Sequence, residues 1–273
     1  MKTAVIMTGH QRMVPYGYNL LKQSLAGHEY DIFSYTWFND TETRPVIEIP
    51  GTQDTIQLLG DRSVHVDQKP IIQQYYNMFL EQNAISTQYN PSHLMPQQTF
   101  TQFFGQVLSL LLAVDKWYDR LKTYDVIIKS RWDVLIDPLQ ISQVRDKRLL
   151  VSGGIYINNG QTELGGDVTL CYAKDYLPNL YPLNTTIDKL IQIVKDKNEH
   201  SLEYMAENDE FFRTGKWFNS HFLWASLFKN NHNLCIEGHY CSPRIVPELT
   251  KYAPDKITLN DVFDHMRANP IYA

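Results

Sequence analysis

A helix that runs straight into a strand narrows the fold more than any other feature of this chain. Between residues 99 and 122, Phe103, Phe104, Val107, Leu110, Leu111, Val114, Trp117, Tyr118 and Leu121 recur at three- and four-residue steps. That spacing gives a helix one wide apolar face. Directly after it, YDVIIKSRWDVLI (124 to 136) opens with an apolar run of strand type. The N-terminus repeats the theme. TAVIMT (3 to 8) reads as a buried strand ended by Gly9, Val14 to Ala26 as a weakly amphipathic helix stopped by Gly27, and YDIFSYTW (30 to 37) as a second strand. Strand, helix and strand at this spacing make a βαβ unit. Repeated steps of this kind predict an α/β fold with a mainly parallel sheet flanked by helices.

The other segments are less regular. SVHVDQ (63 to 68) alternates like a third strand, and the stretch from about Asn83 to Gln98, with its prolines and amides, reads as a surface loop. RLLVSGGIYI (148 to 157) and DVTLCYA (167 to 173) are strand-like and are joined by the flexible NNGQTELGG. Residues 183 to 198 and 208 to 231 read as helices, and 235 to 248 as a short strand or ordered loop. The last 20 or so residues read as a tail or a closing flap. We expect a single domain over 1–273, with a first half (1–136) and a second half (137–273) ending in a helical C-terminal part.

Composition excludes several classes. The 273 residues are 43% hydrophobic and 20% charged with a net charge of -5, an ordinary globular balance without the basic footprint of a duplex-binding protein. Cys171, Cys235 and Cys241 form an odd set without CxxC spacing, which argues against a disulfide framework or a zinc knuckle and for a reducing cytoplasm. The apolar run before Gly9 is too short for a signal peptide core, and no apolar stretch reaches the ~18 residues of a membrane span. The expectation is a soluble, cytoplasmic protein.

The strand at 124 to 136 carries Lys129, Arg131 and Asp133 at every second position. If the strand ran on through them, all three would share one face, opposite Ile128, Ser130, Trp132 and Val134. Unpaired charge is costly to bury, so that face should meet water, a partner segment or a charged ligand. At the carboxyl edge of a parallel sheet, where ligands collect, Asp133 can hold a cation while Lys129 or Arg131 meets a phosphate. TGHQR (8 to 12) is a second candidate: Thr8, Gly9 and Arg12 lie at a turn whose amides and guanidinium suit a diphosphate. Each has a plainer reading, as a simple turn and as a structural ion pair. Trp37 and Trp217 are the tryptophans placed to serve as exposed stacking platforms.

Taken in order, TAVIMTGHQR, YDIFSYTWFND and the long helix running into YDVIIKSRWDVLI resemble bacterial and viral nucleotide-sugar glycosyltransferases of the GT-A type, with a looser echo at NDEFFRTGKWFNSHFLWASLF. The resemblance covers about half the chain. It implies a GT-A-like (Rossmann-like) fold and an enzyme moving a sugar from a nucleotide-diphosphate donor to an acceptor hydroxyl. The acceptor would be a surface glycan or, in a virus, hydroxymethylated DNA bases. It also implies an Asp-x-Asp motif binding Mn2+ or Mg2+, but here Arg131 replaces the first Asp and leaves Asp133. Arginine cannot ligate a metal yet can neutralise a diphosphate, so one carboxylate with a metal and a metal-independent site both stay open. Further metal ligands would come from His221 or His239. Asp167, after a glycine pair, and Asp209 and Glu210, at a helix start where carboxylates also serve as caps, are the acceptor-side candidates for a general base. The rivals are a nucleotidyltransferase, for which TGHQR is too spare, and a nucleotide-sugar binding protein without catalysis.

Overall fold

In a computed structural model, the structure describes residues 1–11, 13–38, 55–85, 97–136, 148–151, 155–158, 161–164, 169–205, 220–228, 235–236 and 251–268. The strands are β1 (Lys2–His10), β2 (Glu29–Phe38), β3 (Ser63–Asp67), β4 (Val126–Ser130), β5 (Arg148–Val151), β6 (Ile155–Asn158), β7 (Gln161–Leu164), β8 (Leu170–Ala173) and β9 (Cys235–Ile236). The helices are α1 (Val14–Ser24), α2 (Thr55–Leu59), α3 (Gln68–Glu81), α4 (Gln97–Leu121), α5 (Leu183–Met205), α6 (Ser220–Phe228) and α7 (Leu259–Ala268). The main sheet runs β3-β2-β1-β4-β8-β5-β9. β3, β2, β1 and β4 are mutually parallel, β8 is antiparallel to both its neighbours, and β5 and β9 pair in parallel. The chain is therefore an α/β protein with a mainly parallel sheet flanked by helices.

Burial on both faces explains the near-continuous apolar runs of β1 and β4. On one face Ala4, Ile6, Phe33, Tyr35, Trp37 and Ile127 pack against α3, α4, α5 and α6. Phe79, Phe100 and Phe104 meet there with ring centroids about 5 Å apart, at 5.2, 5.0 and 4.7 Å, a spacing that adds to their burial energy. Dehydration in this layer pushes the Tyr35 phenol up to about 12. On the other face Val5, Met7, Ile32, Val126 and Ile128 pack against α1 and Leu59 of α2. A third cluster, Met13, Tyr16, Leu20, Leu135, Ile257 and Val262, joins the outer side of α1 to the C-terminal segment.

Several expectations change. The linker NNGQTELGG contains β7, which pairs with β6 as a two-stranded hairpin. The C-terminal residues 251–268 are neither tail nor flap. α1 holds them by their backbone: the Tyr16 hydroxyl donates to the Tyr252 carbonyl at 3.0 Å, Asn19 Nδ2 to the Pro254 carbonyl at 2.9 Å, and Gln23 Nε2 to the Ile257 carbonyl at 2.8 Å. α7 is then started by a reciprocal cap. The Asp261 carboxylate accepts from the Thr258 backbone N–H at 2.8 Å, and Thr258 Oγ1 accepts from the Asp261 N–H at 3.3 Å. α3 was not foreseen. Its buried Ile72, Tyr75, Tyr76 and Phe79 recur at the three- and four-residue steps of a helix, so its period was legible in the sequence.

Candidate functional site

The strand order reverses at β1. β2 and β3 extend the sheet to one side of it, and β4 lies on the other. In open α/β sheets the crevice beyond the carboxyl ends at such a switch point is where ligands bind. In this molecule that edge carries Thr8, Gly9 and His10 of β1 with Gln11 after it, and Ser130 of β4 with Arg131 and Asp133 after it.

Gly9 lies within β1, opposite Thr36, not after the strand. Its φ of +87° is a conformation that side chains other than glycine rarely adopt. The chain turns beyond His10, passes through Met13 in the left-handed region at φ 58°, and enters α1, whose first turn has no side-chain cap among the described residues. Thr8 is buried, and its hydroxyl donates to the Ser130 carbonyl across the switch point at 3.4 Å. Ser130 Oγ lies 3.2 Å from Thr169 Oγ1.

The alternation expected over 124 to 136 stops at Ser130. Beyond it the chain turns, with the Val134 N–H donating to the Arg131 carbonyl at 3.2 Å, so Arg131 and Asp133 sit on a turn and do not share a strand face with Lys129. Lys129 follows the strand instead. It is 1% exposed and its ammonium lies 5.7 Å from the ring centre of Trp224 on α6. A partner segment, not water, meets that charge.

Trp132 fixes the turn. Its indole is fully buried against α1 and donates to Ser34 Oγ at 3.4 Å. Its carbonyl lies so close to α1 that a Cβ on Gly17 would come within 2.0 Å of the oxygen. Ser24 of α1 also donates to the Ile136 carbonyl. Around this anchored tryptophan, the Arg131 guanidinium faces Asp133 in fork geometry: Nε donates to Oδ1 at 2.8 Å and Nη2 to Oδ2. Their side chains are 25% and 15% exposed.

A second polar group at the same edge was missed in the sequence. Gln11 Nε2 donates to Thr55 Oγ1 at 2.6 Å and to Thr36 Oγ1 at 3.3 Å. Ser63 Oγ donates to Thr55 Oγ1 at 2.9 Å, and Thr36 Oγ1 lies 3.0 Å from His65 Nδ1. Phe38, 43% exposed, stands beside His65 with ring centres 5.0 Å apart. The alternation of SVHVD carried this signal, since it places Ser63, His65 and Asp67 on one face. Trp37, expected as an exposed platform, is instead 2% exposed with its indole donating to the Gly105 carbonyl at 3.2 Å. Odd positions of β2 face α4, so the ring at the rim is its neighbour Phe38.

The structure thus brings together Thr8, Gly9, Arg131 and Asp133, and places Lys129 beneath them in the α6 layer. Arg12, Asp167, Asp209, Glu210, Trp217 and His239 lie outside the described residues. His221 falls in the first turn of α6, and only its backbone is described. For Mn2+ or Mg2+ the described donors fit poorly: the site's one described carboxylate, Asp133, is held against the cationic Arg131, and no group of three His, Cys, Asp or Glu side chains that could hold a metal occurs among the described residues. Nor is any helix among them long and apolar enough to cross a membrane. No protein-family model matches this chain, and no curated protein matches it significantly.

Proposed function

We propose that the protein is a GT-A-like glycosyltransferase that binds a nucleotide-diphosphate sugar at the carboxyl edge of β1 and β4 and transfers the sugar to an acceptor hydroxyl. The observation that carries this reading is the arginine-bearing turn, Arg131 to Asp133, anchored at the point where the strand order reverses. Beside it, Gly9 in its left-handed conformation lets the backbone approach a ligand closely, and the positive N-terminal end of α1, which follows in the chain, suits phosphate oxygens. The hydroxyl and amide chain of Gln11, Thr36 and His65, with Phe38 at its rim, suits a polar ring system with a flat face.

In this reading the residues of the edge hold the diphosphate and offset the charge that grows on the departing nucleotide, and the acceptor is positioned by the second half of the chain. Asp167, Asp209 or Glu210 supplies the general base if the reaction inverts the sugar. A surface glycan is the first choice of acceptor, with modified DNA bases as the alternative for a viral enzyme. One observation favours a second reading, a nucleotide-sugar binding protein without turnover: the described carboxylate of the motif is already occupied by its own arginine.

Hydrolysis of UDP-, GDP-, ADP- and CMP-linked sugars by the purified protein, followed as released nucleotide, tests the proposal. Turnover of one donor, reduced at least about tenfold in Arg131→Gln, is expected. Binding without turnover would select the second reading, and neither binding nor turnover would remove both.

A further inference from the structure

We infer that Arg131 takes the place of a divalent cation at this edge, so that a phosphate or diphosphate anion is recognised there without a metal ion. The argument begins with the two oxygens of Asp133. A divalent cation needs a carboxylate oxygen at about 2.0–2.6 Å, and both oxygens of Asp133 already accept from Nε and Nη2 of one guanidinium. A cation could use only the lone pairs that those two hydrogen bonds leave, and the guanidinium held against the same carboxylate would repel it. The guanidinium is always charged and has the planar shape that phosphate oxygens prefer.

Rigidity of the turn supplies the second step. The residue between the pair, Trp132, is clamped by Gly17 and Ser34, and the turn is closed from Val134 to Arg131. Two side chains that leave such a turn side by side are oriented before any ligand arrives, which lowers the entropy lost on binding. Asp133 here is a positioning residue: it aims the guanidinium, as a carboxylate would otherwise hold a metal. The third step is location. Arg131 follows β4 directly at the switch point, next to Thr8 and Gly9 of β1.

This rests on the sugar-nucleotide reading only for the identity of the anion's natural carrier; the chemistry recognised is the phosphate oxyanion itself. The test is calorimetric titration of the full chain with inorganic pyrophosphate, in EDTA and then with Mn2+. The wild-type protein is expected to bind in EDTA, with Mn2+ changing the affinity by less than about threefold. Arg131→Gln should weaken binding at least about tenfold, since a charge-assisted fork is lost. Arg131→Lys, which keeps the charge and loses the fork, should fall between. Asp133→Asn should stay within about threefold of wild type, because orientation lost and repulsion removed act in opposite directions. Pyrophosphate binding that appears only with Mn2+, or that survives Arg131→Gln and is lost in Asp133→Asn, would overturn the inference, and so would no binding in either buffer. The wild-type comparison needs no variant to fold. A parallel titration with sugar nucleotides separates the two proposals. Sugar nucleotides that bind only with Mn2+ would sink the built-in cation and leave the glycosyltransferase reading, whereas pyrophosphate binding in EDTA with no response to any sugar nucleotide would do the reverse.

Discussion

The two edges of the parallel strands both carry ionic hydrogen bonds, but they are wired differently. At the amino edge, Asp31 of β2 accepts from Arg62 at 2.7 Å and from the Tyr124 hydroxyl at 2.6 Å, with the Lys2 ammonium 3.7 Å away. One carboxylate there ties β1, the approach to β3 and the approach to β4 together. At the carboxyl edge, Arg131 pairs with Asp133 two residues along the same turn. Both partners of that pair belong to one turn. A cross-linked hub is what a fold needs to hold its strands in register, whereas a pair within one turn orients the two side chains of that turn. The contrast separates the structural charges of this protein from the ones proposed to act.

The largest expected effect lies at the contact that anchors the carboxyl-edge turn. Gly17→Ala drives a methyl group into the Trp132 carbonyl, a backbone atom that cannot rotate away, and should cost about 3 kcal/mol in denaturant unfolding. An unchanged midpoint would mean that the turn is not seated on α1 as described. Next comes the hub. Asp31→Asn should cost about 2 kcal/mol, because it removes the charge facing two cations and weakens the acceptor of a buried tyrosine. The figure is modest because Asp31 is one-third exposed and solvent screens its ion pairs. Burial, and then the hydrogen bond to Asp31, raise the Tyr124 phenol above its ordinary value, so it stays a donor through the neutral range. Should Asp31→Asn prove no more harmful than a change at the other edge, the comparison fails.

Arg131→Gln should cost about 1 kcal/mol, less than Asp31→Asn, because the glutamine amide can still donate to the largely buried Asp133 carboxylate, although the same variant is expected to lose anion binding. A loss as large as that of Asp31→Asn would make the pair structural. The smallest effect belongs to α7. Hydrogen bonds from the Thr258 hydroxyl and backbone lower the Asp261 carboxyl below its usual value. A carboxyl with a depressed folded value stabilises above its unfolded value and stops doing so as pH falls through the folded one. Amide exchange in 259–268 should therefore speed up below about pH 4 ahead of the sheet, and Asp261→Asn should bring that behaviour to neutral pH.

What the sequence disclosed follows from the range of the interactions involved. α4 and β4 were legible because their patterns are local: a stripe of apolar residues at helical spacing, then an apolar run. The βαβ opening was legible for the same reason. The end of β4 was not, since alternation continues by chance through Arg131 and Asp133 while the chain turns around Trp132. Burial of Lys129 depends on Trp224, a residue far along the chain that nothing near Lys129 announces. Trp37 was misplaced because strand alternation gives two faces but not which one α4 covers. α7 escaped notice because it buries only Val262 and is held mainly by side chains of α1 that grip the backbone preceding it. Of the candidate site, residue types at the carboxyl edge were readable, and the pairing of Arg131 with Asp133 was foreseen only as the plainer alternative.

Thermal melting of the wild-type and Arg131→Gln proteins, with and without UDP-, GDP-, ADP- and CMP-linked sugars, tests the central claim most directly. A ligand at about 100 times its dissociation constant stabilises the native state by about 2.7 kcal/mol, a rise of at least about 5 °C for a chain of this size. The account predicts that rise for one nucleotide class in the wild-type protein and its loss in Arg131→Gln, whose unliganded melting temperature falls by no more than about 4 °C. No rise with any sugar nucleotide, or one that Arg131→Gln retains in full, would contradict it.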